Sequence, residues 1–191
     1  FYKGKISEGT GGIVSVGRLE KTKNFELLIY SFTKIAGEFP NERLVIYGDG
    51  PHRQNLNYLI TELKMEHKIK LAGKVENVAE KIENAKLFVL SSDYEGMPNA
   101  LMEAMALGIP AIATDCPCGG PRVLFENEKS GKLVPVAQIK EMSEALRYLL
   151  KNPQKRQQLA QNAKKRAEDF RGEKICERWQ ELFLSLLEKR G

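Results

Sequence analysis

The chain has 191 residues, with 30 basic and 25 acidic side chains, a formal charge of +5, and 42% hydrophobic residues. This is ordinary composition for one globular domain, and it excludes a disordered or collagen-like chain. No run approaches the ~18 apolar residues of a membrane helix, and residues 1–12 lack the apolar stretch of a secretory signal.

Residues 1–12 read as a tether, with Gly9, Gly11 and Gly12 available to bend. Five short runs rich in Val, Ile and Leu follow: 13–16, 44–47, 69–72, 87–90 and 111–113. None alternates cleanly, as expected of strands buried on both faces. A weaker sixth lies at 132–136. Helical stripes separate most of them, as at Phe25, Leu28, Ile29, Phe32, Ile35 and at Leu56, Leu59, Ile60, Leu63. Residues 100–107 are almost wholly apolar, and Ile139, Met142, Ala145, Leu146 and Leu149 form another stripe. Strands alternating with helices predict an α/β fold, a Rossmann-like parallel sheet of about six strands with helices on both faces.

Two C-terminal helices are expected over 153–191. Pro153 suits the first turn of one. Ile175, Trp179, Leu182, Phe183, Leu186 and Leu187 mark the apolar face of the other, which must cover something. Residues 151–191 hold 11 basic and 6 acidic side chains, against 19 of each in residues 1–150. A neutral body argues against nucleic-acid binding. The basic tail suits a solvated helix face or contact with an anionic surface. Cys116, Cys118 and Cys176, with His52 and His67, have neither metal-ligand spacing nor a disulfide framework, so a reduced cytoplasmic setting is expected. The histidines are expected to be exposed.

Ligands of an open α/β sheet bind beyond the carboxyl ends of its strands. After the first strand come Gly17, Arg18 and Lys23, just ahead of a helix. Two cations there would hold a diphosphate, or simply be solvated. Gly48-Asp49-Gly50-Pro51 lacks the third glycine of a dinucleotide fingerprint and reads as a turn. Residues 73–77 form a short loop. After the fourth strand, Pro98 suits a first helical turn that leaves the amides of Asn99, Ala100 and Leu101 free for phosphate. Glu103 lies in the apolar helix, either satisfied by a partner or gripping adjacent hydroxyls of a ligand. Glu95 precedes that helix.

Glu95 and Glu103 are separated by seven residues and followed by Ala104-Met105-Ala106-Leu107-Gly108-Ile109-Pro110. This segment resembles the donor-binding half of the GT-B glycosyltransferases, specifically the large retaining family 4. Gly17-Arg18-Leu19 with Lys23 resembles that family's diphosphate loop, and Gly48-Asp49-Gly50-Pro51 its second turn. Gly119-Gly120-Pro121-Arg122 resembles the loop of members that build bacterial surface polysaccharides. The likeness covers roughly residues 10 to 150, in order.

The resemblance implies roles. Arg18 and Lys23 would neutralise the donor's diphosphate, with Gly17 allowing close approach. Glu95 would contact the sugar and Glu103 the ribose hydroxyls. Asn99, Ala100 and Leu101 would meet phosphate through their amides, and Val75 the base through its backbone. Arg18, Lys23 and Glu95 are the expected catalytic residues. The chain would be one half of a GT-B fold: residues 1–12 an interdomain linker, 13–152 the nucleotide-sugar-binding domain, and 153–191 helices that pack back on it and toward an N-terminal domain. It opens on Phe1 rather than Met and is expected to be part of a longer protein, inactive in transfer alone.

The implied reaction moves a hexose or N-acetylhexosamine from a nucleotide sugar, a UDP-sugar by the resemblance, to a polysaccharide or lipid-linked glycan, with retention. The protein would be cytoplasmic, with peripheral contact at the inner membrane face. Asp93 and Glu95 imitate a manganese-binding pair, but Arg18 and Lys23 already supply the positive charge, so no metal or other cofactor is expected. A glycosidase would not need the phosphate-binding pieces. A sugar-nucleotide epimerase and a non-catalytic nucleotide-sugar-binding module remain as alternatives.

Overall fold

The structure, a computed structural model, describes residues 11–188; the rest of the expected linker, residues 1–10, and residues 189–191 lie outside the described residues. Strand β1 (Ile13–Val16) is followed by α1 (Phe25–Ile35), β2 (Leu44–Tyr47) by α2 (Arg53–Glu62), and β3 (Ile69–Gly73) by α3 (Val78–Ile82). The second half repeats this alternation with β4 (Leu87–Leu90), α4 (Asn99–Leu107), β5 (Ala111–Thr114), α5 (Gly120–Phe125) and β6 (Lys132–Val134). It closes with α6 (Ile139–Lys151), α7 (Pro153–Ala167) and α8 (Gly172–Glu188).

All strands pair in parallel, in the order β3-β2-β1-β4-β5-β6. β1 is therefore flanked by β2 on one side and β4 on the other. The direction of winding reverses there, which opens a crevice beyond the carboxyl ends of β1 and β4. The buried Ser15 hydroxyl donates to Val89 O at 2.6 Å and ties these two strands across the reversal.

The missing alternation in the strands has a direct cause: both faces are covered. Ile13, Leu44, Ile46, Leu87, Val89 and Ile112 pack with α1, α2 and α6. Val14, Phe88, Leu90, Ala111 and Ala113 pack with α4, α5 and α7. Each fully buried Leu, Ile or Phe contributes roughly 1.5–3 kcal/mol. α7 opens on Pro153 at its first turn and lays Leu159, Ala160, Ala163 and Ala167 into the core. Its small residues let it lie close against α4.

The short helices α3 and α5 are additions to the sequence reading. With five and six residues they are too short to show a periodic stripe. α8 is formed, yet Trp179, Leu182, Phe183, Leu186 and Leu187 on it are all exposed. Its principal packing is against the tight turn Glu168–Phe170 that follows α7. Among the described residues, no helix is long and apolar enough to cross a membrane.

Candidate active site

The loop after β1 is laced to the loop after β2. Gly17 N donates to Tyr47 O at 3.0 Å, Leu19 N to Asp49 O at 3.0 Å, and His52 N to Leu19 O at 2.9 Å. A Cβ on Gly48, whose φ is +143°, would sit 1.8 Å from Gly17 O, and one on Gly50 2.4 Å from Leu19 O. These two glycines thus let one loop lie on the other. Leu19 is fully buried between them. Arg18, on the same loop, keeps its side chain 70% exposed, 3.6 Å from Glu20. His52 corrects an expectation: its ring is only 15% exposed and lies 3.8 Å from Glu26.

Lys23 ends a single 3-10 turn, Lys21–Lys23, and its ammonium donates to Glu95 Oε1 at 2.6 Å. The pair is largely shielded, with side chains 24% and 12% exposed. Ser92 Oγ donates to the same Glu95 oxygen at 2.8 Å. Three further bonds bind the two loops. Ser91 Oγ donates to Lys23 O at 2.9 Å, Asp93 N to Thr22 O at 2.9 Å, and Asn24 Nδ2 to Asp93 Oδ1 at 2.8 Å. Beneath them, Ser92 O accepts from Cys116 Sγ at 3.1 Å and from the Thr114 hydroxyl. Burial pushes the Cys116 thiol up, so it stays a donor. Cys118 is exposed.

The start of α4 differs from expectation. Pro98 is its N-cap, in extended backbone, rather than its first helical residue. Pro98 O accepts from both Leu101 N and Met102 N at 3.1 Å. The Leu101 amide is therefore already used and its side chain buried, which corrects its expected availability to phosphate. Asn99 and Ala100 open the helix with their N–H groups outside its hydrogen-bond ladder. The Asn99 residue is exposed and Ala100 half-buried.

Glu103 is not inside the apolar core either: it is an exposed residue on the outer face of α4. Its carboxyl stands at a groove of about 350 Å³ shared with Ala79, Asn99, Met102, Ala106 and Phe170. Burial against that apolar wall raises its pKa above the ordinary carboxylate value. Val75 is half-buried in the loop leading to α3, the helix that carries Ala79 to the groove.

Of the expected residues, the structure thus joins Lys23 directly to Glu95, and places Asn99 and Glu103 on one groove. Among the described residues, no hydrogen bond or ion pair links Arg18 to either group, and no three His, Cys, Asp or Glu side chains gather as metal ligands. Sequence reading passed over Asn24, Ser91, Ser92, Asp93 as a loop tie, and Cys116. The available signals were an Asn just before a helix and two hydroxyls directly after a strand.

Comparison with known proteins fits this arrangement. An uncharacterized glycosyltransferase of Haemophilus influenzae is 32% identical over 167 residues, covering 87% of this chain and 47% of that protein. The Campylobacter jejuni enzyme named N-acetylgalactosamine-N,N'-diacetylbacillosaminyl-diphospho-undecaprenol 4-alpha-N-acetylgalactosaminyltransferase is 34% identical over 164 residues, 86% of this chain and 44% of its own. The chain therefore spans about half the length of these relatives. A structure of a mutant S. aureus TarM in complex with Fondaparinux, alpha-GlcNAc-glycerol and UDP superimposes with a TM-score of 0.84 at 26% identity, over 94% of this chain and 36% of that one. The family model described as glycosyl transferases group 1 matches residues 2–166, nearly the whole of the sheet and its covering helices, and the chain belongs to that family.

Proposed function

We propose that this chain is the donor-binding half of a retaining, family 4 glycosyltransferase of GT-B architecture. It takes a UDP-hexose or UDP-N-acetylhexosamine, without a metal or other cofactor. The observation that carries this reading is the shielded Lys23–Glu95 pair beside the start of α4, at the reversal of the sheet. Transfer breaks the bond between the sugar's anomeric carbon and the diphosphate. Negative charge grows on the leaving diphosphate and positive charge on the sugar. Lys23, Arg18 and the Asn99 and Ala100 amides meet the first; Glu95 faces the second. Preorganised groups of this kind are typically worth ~10²–10³ in kcat each.

The donor's diphosphate competes with Glu95 for the Lys23 ammonium. As the lysine turns toward phosphate, the Glu95 oxygen it covered becomes available to the sugar, still oriented by Ser92 Oγ. Glu103 accepts the ribose hydroxyls at the groove, and the Val75 backbone meets the base.

The acceptor, a polysaccharide or lipid-linked glycan, binds a preceding domain, and the exposed apolar face of α8 packs toward that domain. The longer protein works in the cytoplasm, with the basic surface of residues 151–191 against the inner face of the membrane. Relatives whose length this chain half covers, one of them named for a diphospho-undecaprenol acceptor, support this reading.

The test is a titration of the chain with UDP, ADP, GDP and NAD, followed by backbone amide shifts. UDP is expected to move the amides of Arg18, Val75, Asn99 and Glu103, and Arg18→Ala and Glu103→Ala to weaken it. A well-folded chain that binds none of the four, or binds NAD best, would defeat the proposal.

A further inference from the structure

We infer that Asn24 and Asp93 form a positioning bridge that seats the Lys23 ammonium on Glu95 and keeps it from Asp93. The consequence for the donor rests on the function proposed above; the bridge itself does not.

Asn24 is the one residue between the 3-10 turn and α1, and its backbone is left-handed, with φ 42° and ψ 50°. Outside glycine, Asn and Asp visit that region most readily. Its Oδ1 caps α1 by accepting from Leu27 N at 3.1 Å. A cap needs only an acceptor, which Asp or Ser would supply equally well. The other end of the side chain does separate work: Nδ2 donates to Asp93 Oδ1 at 2.8 Å. Only an amide caps the helix with one atom and engages a carboxylate with the other.

The bond falls where it controls a choice. The loop tied to the Lys23 turn carries two acids, Asp93 and Glu95, and the long flexible stem of a lysine could serve either. Its root is fixed on both sides, by Thr22 O on Asp93 N and by Ser91 Oγ on Lys23 O. The Asn24 amide engages Asp93, and Ser92 orients Glu95. What remains for the ammonium is Glu95, at 2.6 Å.

The test exchanges donor and acceptor across the bridge. Asn24→Asp keeps an acceptor for the cap and a residue type that tolerates the backbone, but sets a second carboxylate against Asp93. Asp93→Asn added to it restores a bond of reversed polarity. The readouts on this chain are the Lys23 Cε and Glu95 Cδ carbon resonances without ligand, the melting temperature, and the affinity for UDP.

Asn24→Asp is expected to shift both resonances and to weaken UDP about tenfold, with little change in melting. The double variant is expected to return both resonances and UDP affinity to within about twofold of the starting chain. If Asn24→Asp fails to fold, Asn24→Ser keeps a cap acceptor but removes the amide that engages Asp93, and the same shifts are expected.

Unmoved resonances in the folded single variants overturn the inference. So does a double variant that melts normally without restoring them. Resonances that move and are rescued uphold the bridge; absent UDP binding then defeats the donor reading, and UDP binding that the variants leave unaffected defeats the bridge's consequence for the donor.

Discussion

The Glu103 carboxyl stands over the apolar wall beside α4, and burial raises its pKa above the ordinary carboxylate range. A raised carboxylate pKa means that ionisation costs the fold. Below about pH 4 the group is protonated folded and unfolded, and there is no penalty. As the pH rises through the unfolded and then the folded value, the penalty accrues, and above both it is complete. Glu103→Gln is therefore expected to stabilise the chain at neutral pH and to do nothing near pH 4, as measured by urea unfolding at both.

Ligand binding has the opposite sign. Ribose hydroxyls donate to the ionised form, so affinity rises with pH across the same window. Uridine, which lacks phosphate groups, isolates this effect. Its binding is expected to strengthen from about pH 4 to neutrality in the natural chain and to stay flat in Glu103→Gln. Equal uridine affinity at both pH values in the natural chain would remove Glu103 from the ribose.

Among the elements, the start of α5 is the buttress of the loop that carries Glu95. A Cβ at Gly120 would lie 1.5 Å from Gly96 O, whereas one at Gly96 meets nothing within 4 Å. The two neighbours therefore differ sharply. Gly96→Ala is expected to change stability by no more than ~0.5 kcal/mol. Gly120→Ala must push α5 off the β4 loop, costing ~1–3 kcal/mol and weakening UDP. Thermal melts and UDP titrations of the pair check this, and equal behaviour of the two would sink it.

The same contrast explains what could be read from the chain. The strands were legible because burial on both faces leaves an apolar run such as Leu87–Leu90, with every residue buried. α1 and α6 were legible from their apolar stripes. α5 was not: its place is dictated by a backbone approach to Gly96, twenty-four residues earlier in the chain, rather than by its own pattern. At the site, Lys23 and Glu95 were legible by resemblance. The partners that fix them, Asn24 with Asp93 and Cys116 with Ser92, join loops that follow different strands and left no local periodicity. The Leu101 amide was misread because it closes a tight bond three residues back, onto Pro98 O, which no sequence pattern announces.

At the scale of the whole molecule, the sheet and seven of its helices bury their apolar faces, while α8 does not. Trp179, the single tryptophan, is 55% exposed and stacks on Phe183 with ring centroids 5.7 Å apart. Leu182, Leu186 and Leu187 continue the same exposed face. An apolar ridge of this kind is a site of association. Because α8 packs chiefly on the turn Glu168–Phe170, changes along its face should not reach the core. In dilute solution, acrylamide is expected to quench Trp179 almost as fully as in the unfolded chain, and quenching should fall as protein concentration rises. Phe183→Glu with Leu187→Lys should abolish that concentration dependence and keep the chain monomeric in sedimentation, with stability changed by no more than ~0.5 kcal/mol. UDP affinity should also be unchanged, since the Lys23–Glu95 pair and the start of α4 belong to other elements. A natural chain that stays monomeric, with quenching independent of concentration, would show that the ridge does not associate; a double variant that loses the melting transition would show that α8 supports the core after all.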